Sequence, residues 1–117
     1  MKTVLMESLG ISNELLAELE QPFIEQGMEF ASYDRTADPA VLVREAENAD
    51  VMILANMPMP ADVIRQCGRL KFIDVAFTGV DHVGLDAARE KGIAVSNASG
   101  YSTEAVAELV LGMVISM

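Results

Sequence analysis

Apolar positions along the chain alternate between two periods. Thr3-Val4-Leu5-Met6 is a short apolar run that predicts a first strand. Leu15, Leu16, Leu19 and Phe23 follow at helical spacing behind Ser12, a side chain suited to capping a helix start. Pro22 falls inside that pattern and is expected to kink or end the helix, with Gly27 as a further stop. Phe30 to Tyr33 predicts a weak second strand. Asp38-Pro39 opens a second helix, because Asp accepts first-turn amides and proline needs no N–H at the first position. Leu42, Ala46 and Ala49 form its inward stripe. Val51 to Ala55 is continuously apolar, as in a strand covered on both faces, and Pro58 and Pro60 break it. A short helix then turns Val63, Ile64 and Cys67 inward. Phe72 to Phe77 is a fourth strand interrupted only by Asp74. Leu85 to Lys91 is helical, with Lys91 in the last turn and Gly92 as the left-handed stop. Ile93-Ala94-Val95 is a fifth strand, and Ser102 or Thr103 caps a last helix with Glu104 in its first turn.

Strand followed by helix, five times over with short connections, predicts an α/β fold: a three-layer, flavodoxin-like, doubly wound parallel sheet of five strands in the order 2-1-3-4-5. Residues 1–104 form the domain, and 105–117 begin a further helix that is apolar nearly all round and stops without a polar last turn. Ligands of such sheets sit beyond the carboxyl ends of the strands. That rule singles out four loops: Glu7–Gly10, Asn56–Pro60, Thr78–His82 and Asn97–Ser102.

Composition narrows the partners. The 117 residues carry eight Lys plus Arg against eighteen Asp plus Glu, a net charge of −10, so no basic face is available for nucleic acid or an anionic membrane. The single cysteine, Cys67, excludes an internal disulfide framework and a multi-cysteine zinc site, and it suits a reducing cytoplasm. No apolar run approaches the roughly 20 residues of a membrane span.

Several chemistries fail on spacing. No two glycines are separated by a single residue, so the chain has no Gly-x-Gly-x-x-Gly dinucleotide fingerprint. Gly79 and Gly84 have the spacing of a phosphate loop, but Leu85-Asp86 follow where Lys and Ser or Thr would be needed. Gly100-Tyr101-Ser102-Thr103-Glu104 begins like a nucleophile elbow, and Glu104 replaces its second glycine. A receiver domain shares the expected architecture but needs an acidic pair after the first strand and an Asp ending the third; Met6-Glu7 and Asn56 stand there. A flavodoxin needs a Ser/Thr-rich loop where Glu7-Ser8-Leu9-Gly10 lies. His82 reads as a loop histidine beside Asp81 rather than a general base, since no second histidine or orienting carboxylate accompanies it. Cys67, on an inward stripe, reads as a buried hydrophobe. Met57 and Met59 flank a cleft position.

One stretch is far more specific. Leu70 to Val83 contains Thr78-Gly79-Val80-Asp81, then Gly92-Ile93-x-Val95-x-Asn97, then Tyr101-Ser102 and Val106-Ala107-Glu108, over about forty consecutive residues in order. It resembles the substrate domain of the D-isomer-specific 2-hydroxyacid dehydrogenases. The resemblance implies a two-domain NAD- or NADP-dependent oxidoreductase that interconverts 2-oxo and D-2-hydroxy acids by hydride transfer, with this chain ending before the cofactor-binding domain. It implies a substrate carboxylate held by backbone amides at Thr78, Gly79 and Val80, Tyr101 near substrate and nicotinamide, Asn56 and Met57 in the specificity loop, and Val106 near the nicotinamide ring. The family's glycine fingerprint, catalytic Arg, Glu and acid/base His have no counterpart here, so no catalytic residue and no metal ligand is expected in these residues. The chain alone should be catalytically silent and should hold no cofactor tightly. The competing reading is a stand-alone, non-enzymatic α/β binding module that associates through helix 105–117, whose apolar surface favours a dimer or a partner in either case.

Overall fold

Nine elements alternate strictly between strand and helix in the residues that the computed structural model describes, 1–77 and 79–97. They are β1 (Lys2–Leu5), α1 (Asn13–Glu25), β2 (Glu29–Ser32), α2 (Pro39–Ala46), β3 (Val51–Leu54), α3 (Ala61–Arg65), β4 (Phe72–Val75), α4 (Leu85–Glu90) and β5 (Ala94–Asn97). The strands form one parallel sheet in the order β2-β1-β3-β4-β5, the doubly wound arrangement expected from the pattern. The final helix with its Ser102 or Thr103 cap, the 105–117 segment, Thr78, Tyr101 and Val106 lie outside the described residues.

Local signals explain most boundaries. Ser12 Oγ accepts the Leu15 N–H at 3.1 Å and starts α1. Pro22 does not end this helix, which runs three residues further. Proline costs the bond to Glu18, whose exposed position leaves that carbonyl open to water, while Leu16, Leu19 and Phe23 stay packed on the sheet. The true stop is Gly27 at φ +84°, with Met28 N–H donating to Phe23 O and Gly27 N–H to Ile24 O, a Schellman turn. Asp38 Oδ1 accepts the Ala40 N–H at 3.0 Å and starts α2. Gly92, at φ +70°, follows α4 as expected.

The two faces of the sheet are unequal. Leu42 and Ala46 of α2, Val63 and Ile64 of α3, and Ala87 and Ala88 of α4 pack with Val4, Met52, Leu54, Ile73 and Val75 in the larger cluster. Cys67 is fully buried there, and burial pushes its thiol up, as befits a hydrophobe. Opposite, Phe23 of α1 packs with Leu5, Val51 and Ile53.

Lys91 does more than close its own helix. Its Nζ donates to the carbonyls of Ile64, Arg65 and Cys67 at 3.0, 3.2 and 2.7 Å, capping the C-terminal end of the neighbouring α3. Lys91→Met should therefore lower stability by about 1–2 kcal/mol, since it leaves three carbonyls without their donor. A urea titration checks this, and an unchanged midpoint would contradict the capping role.

Candidate functional site at the carboxyl ends of the strands

The loops leaving β1, β3 and β4 meet at one edge of the sheet and are bolted together through backbone groups. Glu7 follows β1 by two residues and is almost fully buried, at 5% exposure. Its Oε2 accepts two amides of the loop after β3: Ala55 N–H at 3.0 Å and Met57 N–H at 2.8 Å. Its Oε1 lies 3.8 Å from the Arg35 guanidinium, which comes from the loop after β2. Arg35 Nη1 also donates to Asn56 Oδ1 at 3.1 Å. A buried carboxylate needs such partners to remain in the fold, and here each oxygen has one or more.

His82 holds the same loop from the other side. Its Nε2–H donates to the Ala55 carbonyl at 2.6 Å, and its ring meets Phe77 edge-on at 6.1 Å. Both backbone groups of Ala55 are thus engaged by side chains distant in sequence. The His82 contact is with this carbonyl, which commits one ring nitrogen to a structural bond. The main chain of the two loops also pairs directly: Met59 N–H donates to His82 O, Gly84 N–H donates to Met59 O, and Met59 bridges Val83 in parallel. Gly84 permits this closeness, because a Cβ there would lie 2.5 Å from the Ala61 backbone.

Between these loops lies a cleft of about 180 Å³ bordered by Glu7, Ser8, Asn56, Ala76 and Phe77 among others. Phe77 is 44% exposed at its rim. Gly79 has open surroundings, since a Cβ would meet only Asp81 Oδ1, at 3.8 Å. No acceptor among the described residues takes the N–H of Gly79 or Val80.

Below the loops sits one strongly perturbed acid. Asp74 occupies the middle of β4, fully buried, between register partners Ile53 and Ser96. Ser96 Oγ donates to its Oδ1, and its Oδ2 has no partner among the described residues. Burial pushes this carboxyl up to about 6, opposed in part by the Ser96 bond.

The structure brings Asn56, Gly79 and Val80 to the same end of the sheet. Asn56 is exposed, whereas Met57 and Met59 are fully buried and form the floor of their loop. Thr78, Tyr101 and Val106 fall outside the described residues. Glu7 lies in one of the four loops that the strand pattern singles out, though not as a holder of the β3 loop, and Arg35 lies outside them all. The only hint for Glu7 was a carboxylate standing where a strand meets its loop.

The turn from β1 to α1 is not shaped as a dinucleotide cradle. The turn from β1 to α1 presents the buried Glu7 carboxylate and lacks the paired glycines that let a backbone approach a pyrophosphate. Among the described residues no group of three His, Cys, Asp or Glu side chains is placed to hold a metal, and no helix is long and apolar enough to cross a membrane.

Known proteins share this fold. Residues 4–111 match the model of a family described as D-isomer specific 2-hydroxyacid dehydrogenase, catalytic domain. A Haemophilus influenzae protein named as a 2-hydroxyacid dehydrogenase is 32% identical over 117 residues, which is 100% of this chain and 36% of that one. Glycerate dehydrogenase of Methylorubrum extorquens is 35% identical over 89 residues, 76% of this chain and 28% of its own length. The structure of NAD-dependent formate dehydrogenase from Staphylococcus aureus, in complex with NAD, superposes with a TM-score of 0.68 at 28% identity, covering 86% of this chain and 32% of that one. The chain thus spans about a third of the length of the relatives it matches.

Proposed function

The chain belongs to the D-isomer-specific 2-hydroxyacid dehydrogenase family, and from that premise we propose that it is the substrate-binding portion of an NAD- or NADP-dependent enzyme acting on a 2-oxo or 2-hydroxy acid. The observation that carries this is the loop assembly at the carboxyl ends of β3 and β4. There the loop carrying Gly79 and Val80, whose amides have no acceptor among the described residues, leaves the same end of the sheet as the loop carrying the exposed Asn56. In this reading the Thr78-Gly79-Val80 amides hold the substrate carboxylate as an anion nest. Asn56 faces the rest of the substrate, with Met57 supporting it from beneath, and Tyr101 and Val106 complete the side toward the nicotinamide.

These local donors must act alone, because a net charge of −10 does nothing to attract an anion. The nicotinamide cofactor, when bound, supplies the hydride, and it is held by residues other than those described here. Glu7 and His82 serve this site by fixing the loop on which substrate contacts depend.

Titrating the ¹⁵N-labelled chain with glyoxylate tests the site. Shifts concentrated at Gly79, Val80 and Asn56 are expected, and shifts absent or confined elsewhere would overturn it. Mixed with NADH and pyruvate, glyoxylate or hydroxypyruvate, the 117-residue chain should oxidise no NADH. Turnover by the pure chain would show that it carries hydride-transfer machinery of its own.

A further inference from the structure

A second cleft, of about 120 Å³, lies on the other side of β1, where β1 and edge strand β2 end. Part of its lining is apolar. Leu5 at the end of β1 and Leu9 in the loop beyond are almost fully buried, and Ile11 and Leu16 pack in the same cluster. The rest of the lining accepts hydrogen bonds: Asp34, Ser32 and Asn13 each carry a side-chain oxygen. Ser32 Oγ donates its proton to Glu20 at 3.4 Å, which keeps its lone pairs open. The Asp34 carboxylate has no hydrogen bond or ion pair among the described residues. Arg35, next in the chain, is committed to Glu7 and Asn56.

Negative charge is in excess here. Burial pushes the Glu45 carboxyl of α2 up; Arg44 opposes this, and the nearby Asp34 charge adds to it. Glu45 Oε2 is itself buried without a hydrogen-bond partner among the described residues. The amino end of α1, at Asn13, carries a partial positive charge, and Glu14 in its first turn offsets it.

An apolar lining beside an unpaired carboxylate suits an amphiphilic cation. A primary ammonium has three N–H donors, one each for Asp34, Ser32 and Asn13, and a short alkyl stem would cover the leucines. An apolar cavity of about 150 Å³ takes benzene, with six heavy atoms, so the volume here suits about five. We propose that this cleft binds a primary alkylammonium group of about that size. The proposal is independent of the substrate-binding reading. The two clefts open on different sides of the β1 loop, with only Ser8, Leu9 of that loop in common.

The test titrates the ¹⁵N-labelled chain at low salt with n-butylammonium, n-butanol, butyrate and methylammonium. Saturable shifts at the Leu9, Ser32 and Asp34 amides are expected with n-butylammonium. n-Butanol should bind about 3–5-fold more weakly, the worth of one exposed charge pair. Methylammonium, without the stem, should bind about 10-fold more weakly, and butyrate should leave these amides unmoved. Asp34→Asn should bring n-butylammonium down to the level of n-butanol, with the remaining amide spectrum unchanged. A capped lysine, Nα-acetyl-lysine methylamide, tells the sources apart: binding at least as tight as that of n-butylammonium assigns the group to a protein side chain, and weaker binding assigns it to a free amine. Equal binding of n-butylammonium and n-butanol, a preference for butyrate, undiminished binding to Asp34→Asn, or no shifts with any amine would overturn the proposal.

Discussion

Glu7→Ala should destabilise the protein by about 2–5 kcal/mol, a large share of the roughly 5–15 kcal/mol that holds a domain folded. The substitution removes the acceptor of two amides, Ala55 N–H and Met57 N–H, in a region where Glu7 itself is 5% exposed. Each donor left without a partner costs about 1–3 kcal/mol. Glu7→Gln keeps one carbonyl oxygen for the amides but turns an NH₂ toward Arg35, so it should fall between wild type and Glu7→Ala. Urea midpoints at constant slope give the stability order, and hydrogen exchange at the Ala55 and Met57 amides should accelerate in the same order. A Glu7→Ala midpoint within experimental error of wild type would show that the loop holds its shape by packing alone.

Asp74 should make stability fall as pH rises. Its carboxyl is pushed up to about 6 in the folded chain, against an ordinary value of 3.8. Between those values the folded protein still binds a proton that the unfolded chain has released, so the free energy of unfolding falls with every step upward in pH. The contribution is fully present below about 3.8, is lost progressively up to about 6, and amounts to about 3 kcal/mol. Asp74→Asn has no proton to lose. The stability of Asp74→Asn relative to wild type should therefore rise by about 3 kcal/mol across that window. Taking the difference cancels the titration of the other carboxylates and any constant cost of the new amide. A difference that stays flat between pH 4 and 6.5 would show that Asp74 ionises as freely in the fold as in water.

Local chemistry was readable from the sequence, and contacts between distant segments were not. Strand order followed from the alternation of periods, because short connections and right-handed crossovers leave few arrangements. The starts at Ser12 and Asp38 and the stops at Gly27 and Gly92 followed because each is decided within a few residues. Pro22 does not end its helix for a complementary reason: its local cost is real, but packing of Leu16, Leu19 and Phe23 on the sheet outweighs it. The site divides in the same way. Gly79, Val80 and Asn56 belong to loops that the strand order alone puts at one end of the sheet. The grip of Glu7 on residues 48 and 50 positions away, and of His82 on a carbonyl 27 positions away, carries no local signature. Lys91 likewise looked like a helix-ending lysine, and only the packing of α4 beside α3 gives it three carbonyls on another helix.

The hold on the β3 loop has an evolutionary side. Glu7 and His82 bind the N–H groups of Ala55 and Met57 and the carbonyl of Ala55, features that every residue except proline would present in full. The loop's path is thereby uncoupled from the identity of the side chain that projects from it at Asn56. Position 56 behaves as a socket of fixed shape with an exchangeable insert. A substitution at position 56 can therefore change the outward side chain while the loop keeps these three backbone bonds.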